Sequence, residues 1–263
     1  MNGFALVAGL FAAISAAAQE PRGLCGDRPG LDTPPCTVDR GHLQVETAIG
    51  DWTREQSAHE RTDAVLVADT QLRYGVTDAI EARLGWTPFG WVRTRDRDAH
   101  ATDRRSGVGD VTIGMKASPS DPRSALGVAF LPYATLPAGR RPIGAGDWGA
   151  GMLVPLAYEL AGGVALELTP EVDAAVDEDG DGRHRAFGGA GGAGVALPAH
   201  LTVSAEVSAL RDRDPAGHVT ATIAGLSAAW QPRRDWQLDL GTHLGLDRHS
   251  PDVEIYAGVV KWF

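Results

Sequence analysis

The sequence predicts an all-β fold, a transmembrane up-and-down antiparallel β-barrel of about twelve strands. Apolar and polar residues alternate with a period of two after about Gly41, in segments of ten to thirteen residues. The connections between these segments alternate between long, charged stretches and short turns rich in Gly, Pro, Asp and Ser. The chain ends on Phe263, as the last of a series of alternating residues. Together these observations indicate a sheet with one polar and one apolar face.

Composition excludes several other classes of protein. Gly and Pro account for 33 and 16 of 263 residues, a content that disfavours a helical bundle. The mean hydropathy of −0.14 is too low for a protein that crosses the membrane with several helices. The net charge of −10 argues against a nucleic-acid partner. Two cysteines without CxxC spacing do not indicate a zinc site.

The first 18 residues resemble a signal peptide. Residues 4–17 form an apolar core, and the small residues that end at Ala18 predict cleavage after that position, although no basic residue precedes the core. A membrane anchor is the alternative, disfavoured because the segment is short and Ala-rich. Export implies an oxidising compartment, so we expect a disulfide between Cys25 and Cys36 rather than two free thiols.

Residues 19–40 form an N-terminal segment rich in Pro and Gly. We assign it to the periplasmic side, and two placements are open: in the periplasm or inside the barrel. The barrel domain then comprises residues 41–263.

The strands are assigned in chain order from the alternation. It is clearest at 43–49, 64–74, 80–86, 111–115, 164–172, 201–207 and 236–244. Weaker segments lie at 125–135, 152–160 and 220–230, the Gly-rich stretch 186–197 is a strand by its place in the series, and 252–263 is the last strand. The apolar faces, with Leu66, Leu84 and Leu240 among them, are predicted to face lipid.

The connections fall into two sets. The long ones lie at 53–62, 90–107, 137–147, 177–185, 212–217 and 247–251, and the short ones at 75–78, 118–123, 161–163, 198–200 and 232–235. Tilted strands of about ten residues cross a hydrocarbon layer, whereas strands of soluble proteins have typically about five or six residues. Seven Trp cluster near strand ends, as in the aromatic girdles of membrane barrels, although aromatic residues are only 6% of the chain.

The C-terminal strand carries a second localisation signal. A terminal Phe with alternating apolar residues before it resembles the targeting signal of bacterial outer-membrane barrels, except that Lys261 stands where an aromatic residue is usual. This resemblance implies that the barrel-assembly machinery recognises the last strand and that the barrel contacts outer-membrane lipid.

Several motifs in a fixed order resemble one family of outer-membrane barrels. They are DRPGLDTPPCT at 27–37, GHLQVE at 41–46, GWTPFG at 85–90, GVGDVTIG at 107–114, GAGDWGAG at 144–151, LTPEVDAAVDEDGDG at 168–182 and DVEIYAG at 252–258. The family carries the label "putative MetA-pathway of phenol degradation", and its members are described as transporters. The resemblance implies passage of small aromatic compounds.

The polar strand faces predict an acidic lumen. Eleven carboxylates and three cations alternate with the apolar residues, and such a wall attracts cations. The lumen-lining candidates are Glu46, Asp69, Arg73, Glu81, Arg83, Asp110, Lys116, Glu167, Glu171, Asp173, Glu206 and Asp239, with Glu159 and Glu254 completing the acidic set. The alternative is a closed plug, in which the three cations pair with carboxylates and seal the lumen.

One long connection has the spacing of a metal-binding loop. Asp177, Asp179 and Asp181 alternate before Gly182, as in the first half of a calcium loop, but Gly188 stands where the loop would need Glu. A solvated acidic hairpin tip is the favoured interpretation, calcium is the alternative, and no other cofactor is expected.

The predicted function is that of an outer-membrane channel or transporter for passive passage of small solutes, aromatic compounds among them. No spacing singles out a catalytic nucleophile, so we expect no enzyme and name no catalytic residue. Two alternatives remain open: a sealed structural or enzymatic outer-membrane barrel, and a soluble exported β-sandwich that acts as a binding module.

Overall fold

The computed structural model describes residues 22–121 and 124–263. The predicted signal peptide and its cleavage at Ala18 lie outside these ranges. The strands are β1 Leu43–Gln56, β2 Glu60–Val67, β3 Thr70–Thr77, β4 Ile80–Trp86, β5 Phe89–Asp96, β6 Ala101–Gly107, β7 Val111–Ala117, β8 Leu126–Val128, β9 Leu131–Leu136, β10 Gly149–Leu153, β11 Leu156–Leu160, β12 Val164–Val176, β13 Arg183–Leu197, β14 Leu201–Asp214, β15 Gly217–Arg233, β16 Trp236–Gly245 and β17 Val253–Trp262. A single 3-10 turn covers Pro198–His200 in the described ranges, where no helix has the length and apolar character to cross a bilayer.

The strands form one closed antiparallel barrel of twelve wall strands. Seven wall strands are continuous, namely β1 and β12 to β17, and five consist of two consecutive pieces each: β2–β3, β4–β5, β6–β7, β8–β9 and β10–β11. The barrel closes because β17 pairs with β1, from Gln44 opposite Trp262 to Arg54 opposite Val253. Closure pairs the strands all around the membrane-crossing part of the wall, which the hydrocarbon region requires of any β structure, whereas the exposed β6 pairs only with β5. The predicted fold and strand number are confirmed.

Breaks in the wall strands reverse which face points inward. Between β2 and β3, Ala68 adopts a φ of 57°. Gln71 beyond the break accepts a hydrogen bond from Arg83 inside the barrel, whereas Leu66 shares a face with Gly90 and the loop residue Ile143. Leu66 therefore faces inward, and its predicted lipid-facing position is wrong. An irregular residue inserted into a strand shifts the period-two alternation by one position and exchanges the two faces.

The long connections are partly β-structure. The stretch 90–107 is mostly a hairpin of β5 and β6, paired from Gly90 opposite Gly107 to Asp96 opposite Ala101. β1 likewise extends to Gln56. Their prediction as loops is wrong in this respect, because charged side chains in water do not prevent backbone ladder hydrogen bonds. These hairpins extend the wall at one end of the barrel, which we call the long-loop end.

The burial pattern is the inverse of a soluble protein. The largest fully buried side chains include Arg73, Lys116 and Glu81, whereas Leu84 is 43% exposed and Leu240 is 62% exposed. Soluble monomers rarely expose a contiguous apolar patch of more than roughly a few hundred Å². The exposed leucines instead form a belt around a closed barrel, which is stable only in lipid. The protein is therefore an integral membrane β-barrel.

Aromatic residues and cations lie together at both ends of the belt. Near the long-loop end, the guanidinium carbons of Arg54 and Arg183 lie 4.6 and 4.4 Å from the ring centres of Trp52 and Trp148. Near the short-turn end, Lys261 pairs with Asp235 and lies over the rings of Trp236 and Phe263. Lys261 thus sits at the water boundary, where its charge costs little.

Candidate functional site

The N-terminal segment enters the barrel, which is the second of the two placements left open by the sequence. Residues 22–40, which we call the plug, run from the short-turn end into the lumen and return to β1. Cys25 and Cys36 form the disulfide that the sequence predicts, with Cα atoms 6.1 Å apart. The plug contacts wall residues on β1, β3, β4, β7, β12, β14 and β16. It therefore crosses the lumen instead of lining one side.

Side chains of the wall replace water for the backbone of the plug. Glu46 accepts hydrogen bonds from the backbone N–H groups of Asp27 and Arg28 at 3.0 and 3.1 Å. Glu81 accepts one from Val38 at 2.8 Å. An irregular segment buried in a barrel needs such partners, because unpaired backbone groups are costly to bury. Two of the predicted lumen carboxylates thus hold the plug.

A buried ion network fastens the plug to one side of the wall. Arg73 Nη1 lies 2.9 Å from Asp27 Oδ1, and its Nε lies 2.8 Å from Glu81 Oε1. Lys116 Nζ donates to Asp27 Oδ1 at 2.8 Å, and Arg83 pairs with the other oxygen of Asp27. Burial alone would raise the pKa of the Asp27 carboxyl, but the three cations outweigh it and hold that pKa well below its usual range. All three predicted lumen cations therefore converge on one carboxylate of the plug.

The opposite side of the plug contacts the wall more sparsely. Glu206 accepts hydrogen bonds from the backbone N–H groups of Leu31 and Asp32 at 3.1 and 3.3 Å. Arg28 Nη2 donates to Asp239 at 3.1 Å. Gly30 turns the chain here with a φ of 123°, and a Cβ atom at this position would lie 2.6 Å from the Glu206 carboxylate. Only glycine lets the plug approach this carboxylate so closely.

A cavity of about 290 Å³ lies beside the plug, on the side of the long-loop end. It is lined by Asp27, Glu46, Asp69, Asp110 and Arg28 among others. Asp110 also accepts hydrogen bonds from loop residues 139 and 145 at 2.8 and 2.6 Å, so the loop between β9 and β10 is tied over the lumen. The predicted residues Asp69 and Asp110 thus face the same acidic space.

Three predicted lumen carboxylates line β12 away from the cations. Asp173 accepts a hydrogen bond from the hydroxyl of Tyr133 at 2.6 Å, and Glu171 precedes it on the same face. Within the described ranges, Glu167, Glu171 and Asp173 have no Arg, Lys or His nitrogen within 4.0 Å. The described wall therefore carries a sector of carboxylates without paired cations.

Sequence reasoning missed the plug residues that complete the site. Asp27, Arg28 and Asp32 lie outside the strands, so no alternation marked them as lumen residues. On the wall it missed the buried Tyr256, whose ring lies 4.9 Å from that of His243. The signals for the plug in the sequence were the two cysteines and the motif DRPGLDTPPCT at 27–37, and neither indicated which wall residues these side chains contact.

We expect the disulfide to limit the motion of the plug. A disulfide that closes so short a loop stabilises the folded state by no more than about 3 kcal/mol. Wall cations bind both ends of this loop, since Arg73 donates to the Cys25 carbonyl and Lys116 donates to the Cys36 carbonyl. Reduction should therefore increase the ionic current through single barrels in planar bilayers, and the increase should be modest because the ion network remains.

The matched control is the double variant Cys25→Ser/Cys36→Ser. It should show the higher current from the start and should not respond to reductant. Equal currents before and after reduction of the native chain would contradict this prediction.

The predicted calcium loop is divided in the structure. Asp177 is buried and lies 2.9 Å from Nδ1 of His184, whereas Asp179 accepts a hydrogen bond from the backbone of Asp181 in an exposed turn. Calcium binding by the three Asp residues remains a prediction.

Nearby, the backbone N–H of Trp148 and the guanidinium of Arg183 hold the pKa of the Asp147 carboxyl below its usual range.

Comparison with known structures defines the class of protein. An outer-membrane channel from Pseudomonas putida F1 superposes with a TM-score of 0.71 at 15% identity, covering 90% of this chain and 99% of the channel. The NanC porin gives 0.51 at 10% identity, covering 84% and 99%, and the β domain of the Bordetella autotransporter BrkA gives 0.52 at 12%, covering 86% and 100%. The fold is that of porin-like outer-membrane β-barrels.

The sequence profile of the family described as "Putative MetA-pathway of phenol degradation" matches residues 26–262, and the chain belongs to this family. The match includes almost the whole plug as well as the barrel. A search of curated proteins finds no match.

Proposed function

We propose that the protein is an outer-membrane channel for passive passage of small solutes, aromatic compounds among them, with a preference for cations and neutral molecules over anions. The family description and the similarity to an outer-membrane channel support the transport of small solutes. We also propose that the barrel-assembly machinery recognises the C-terminal strand, and that the barrel has no catalytic activity.

The carboxylates without paired cations carry the preference for cations. Every lumen cation described above is paired, since Arg28 binds Asp239 and the other three bind Asp27 or Glu81. Glu167, Glu171 and Asp173 leave their charge facing the lumen. Walls of one charge sign raise the local concentration of ions of the opposite sign and repel ions of the same sign.

The plug limits what passes. It spans the lumen between β3 and β14, through Arg73 on one side and Glu206 on the other. Solutes then pass either beside the plug or through the space that opens when the plug is partly displaced. Twelve strands lie between the eight that side chains fill and the sixteen of an open porin, so a channel narrowed by a plug fits this size of barrel.

Ion selectivity tests the acidic lumen. We expect the double variant Glu167→Gln/Glu171→Gln to lower the ratio of cation to anion permeability several-fold, because each charge near an ion in water-like surroundings contributes up to about 1 kcal/mol. The reversal potential across a planar bilayer under a KCl gradient measures this ratio. Glu178→Gln, at the exposed tip of a hairpin, removes a carboxylate charge outside the lumen and should leave the ratio unchanged. An unchanged ratio in the double variant would refute the acidic pathway.

Uptake tests the solute class. Cells that produce the protein should accumulate labelled phenol-like compounds faster than cells that lack it. A variant that still forms the barrel but has altered plug contacts should give a different rate of uptake. Equal uptake by both kinds of cell would exclude aromatic solutes from the proposal.

A sealed barrel is the second candidate, and the buried ion network around Asp27 favours it. In a sealed barrel the plug would serve only to fill the lumen and stabilise the wall. Absence of current at high protein density in planar bilayers would support this role, whereas steps of uniform size would support the channel.

A further inference from the structure

A cluster of metal-ligating side chains lies at the long-loop end, outside the lumen site. Asp177 follows β12, His184 is the second residue of β13, and Asp214 ends β14. We call these residues the rim triad. The rim triad joins two neighbouring hairpins, β12–β13 and β14–β15. These hairpins are adjacent because β13 pairs with β14, with Ala186 opposite Asp212.

The ligand atoms of the rim triad lie close together and face one another. His184 Nδ1 is 2.9 Å from Asp177 Oδ1 and 3.4 Å from Asp214 Oδ2. All three ligand atoms lie within 4.8 Å of one another. The imidazole is only 6% exposed, and the two carboxylates are 11% and 14% exposed. The cluster is therefore largely shielded from bulk water.

The distances suit a small divalent cation. Zinc binds nitrogen and carboxylate oxygen at about 2.0–2.2 Å, which places neighbouring ligand atoms roughly 2.9–3.4 Å apart in octahedral or tetrahedral sites. The two measured separations from Nδ1 fall in this range. One imidazole with two carboxylates also suits zinc better than calcium, which prefers oxygen ligands alone.

The other imidazole nitrogen is placed as in metal-binding histidines. His184 Nε2 is buried without a hydrogen-bond partner, and Asp212 Oδ1 lies 2.8 Å from it. Histidine ligands commonly donate their second N–H to a carboxylate, which orients the ring. A small rotation of the ring would complete this hydrogen bond while Nδ1 remained directed at the triad.

We propose that Asp177, His184 and Asp214 bind a divalent transition-metal ion of the zinc class, with Asp212 positioning the imidazole. The ion would connect the hairpin between β12 and β13 to the hairpin between β14 and β15. Arg141 from the loop over the lumen donates to the backbone carbonyls of Asp177 and Glu178 at 2.8 and 2.6 Å, so the site also contacts that loop. The proposal does not depend on the channel function.

Zinc titration of the refolded full-length mature barrel in detergent, stripped of metal and free of lipopolysaccharide, tests the site. Isothermal calorimetry should show one zinc ion per chain, and cobalt in place of zinc should give visible absorption bands of a low-coordinate site. His184→Gln and Asp214→Asn should each lower zinc affinity at least tenfold, and Asp212→Asn should lower it by about 10–100-fold. Asp181→Asn, in the same hairpin but outside the triad, should bind zinc as the native chain does.

Several results would overturn the proposal. They are absence of zinc binding by the native barrel, unchanged affinity in His184→Gln, and calcium binding that Asp179→Asn and Asp181→Asn abolish but His184→Gln does not. If the native barrel binds no zinc, the imidazole of His184 pairs with the carboxylates as a cation instead. Resistance to unfolding in cold SDS shows that each variant has formed the barrel, and the cobalt spectrum distinguishes a lost ligand from a lost fold.

Discussion

Replacing Asp27 by Asn is expected to open the lumen. Arg73, Arg83 and Lys116 all pair with this carboxylate, and removal of one partner from a buried ion pair costs about 3–5 kcal/mol. A loss of about 3 kcal/mol in docking of the plug would raise the undocked fraction by roughly a hundredfold, at about 1.4 kcal/mol per factor of ten. Single barrels in planar bilayers should then show frequent steps of larger conductance than the native chain.

The matched control lies in the same segment. Asp39→Asn removes the same charge from the plug, but its partner Arg22 is 30% exposed, so the conductance should change little. If Asp27→Asn and the native chain gave the same distribution of conductance steps, the plug would not limit the current.

Replacing Arg73 by Met is expected to give the largest loss of stability. The guanidinium is fully buried and binds Glu46, Glu81 and Asp27. Its removal takes away the cation that pairs with Glu46 and leaves only Arg83 and Lys116 to balance the carboxylates. We expect the free energy of unfolding to fall by about 3–5 kcal/mol, measured by denaturant unfolding of the barrel refolded into lipid vesicles.

An exposed ion pair provides the comparison. Arg105 Nε lies 2.8 Å from Asp103 Oδ2, and both side chains are more than half exposed. Arg105→Met should therefore change the free energy of unfolding by less than about 1 kcal/mol. Combining Arg73→Met with Glu46→Gln and Glu81→Gln should restore part of the lost stability, since the two carboxylates are then neutral. Equal stability of Arg73→Met and Arg105→Met would mean that the buried network contributes nothing.

Period-two alternation was sufficient to predict the closed barrel and its twelve wall strands. Leu84 and Leu240 face lipid as predicted, because alternation within one unbroken strand determines the face of each side chain. Leu66 could not be placed, because the break at Ala68 depends on a backbone conformation that no residue pattern around it indicates. The hairpin of β5 and β6 was missed for a related reason, since charged and polar residues on both faces of its outer part hide the alternation.

The wall carboxylates of the site were predictable, but their partners were not. Arg73 and Glu81 were identified from their polar face, yet their contacts with Asp27 depend on where the plug lies in three dimensions. The rim triad shows the same limit. Asp177 was grouped by spacing with Asp179 and Asp181, whereas the structure joins it to Asp214 from the next hairpin, 37 positions away in the chain. Spacing describes one loop, and the site is built from two.

The plug is held in place by strands that lie far from it in the sequence. The plug contacts Glu206 on β14 across 175 positions and Asp239 on β16 across 211, and both strands are synthesised late. A chain that stops before β14 lacks both partners, so an unfinished or truncated polypeptide has no complete binding surface for the plug. Docking of the plug and closure of the barrel therefore depend on the same late strands, and we expect contacts of such long range to form slowly.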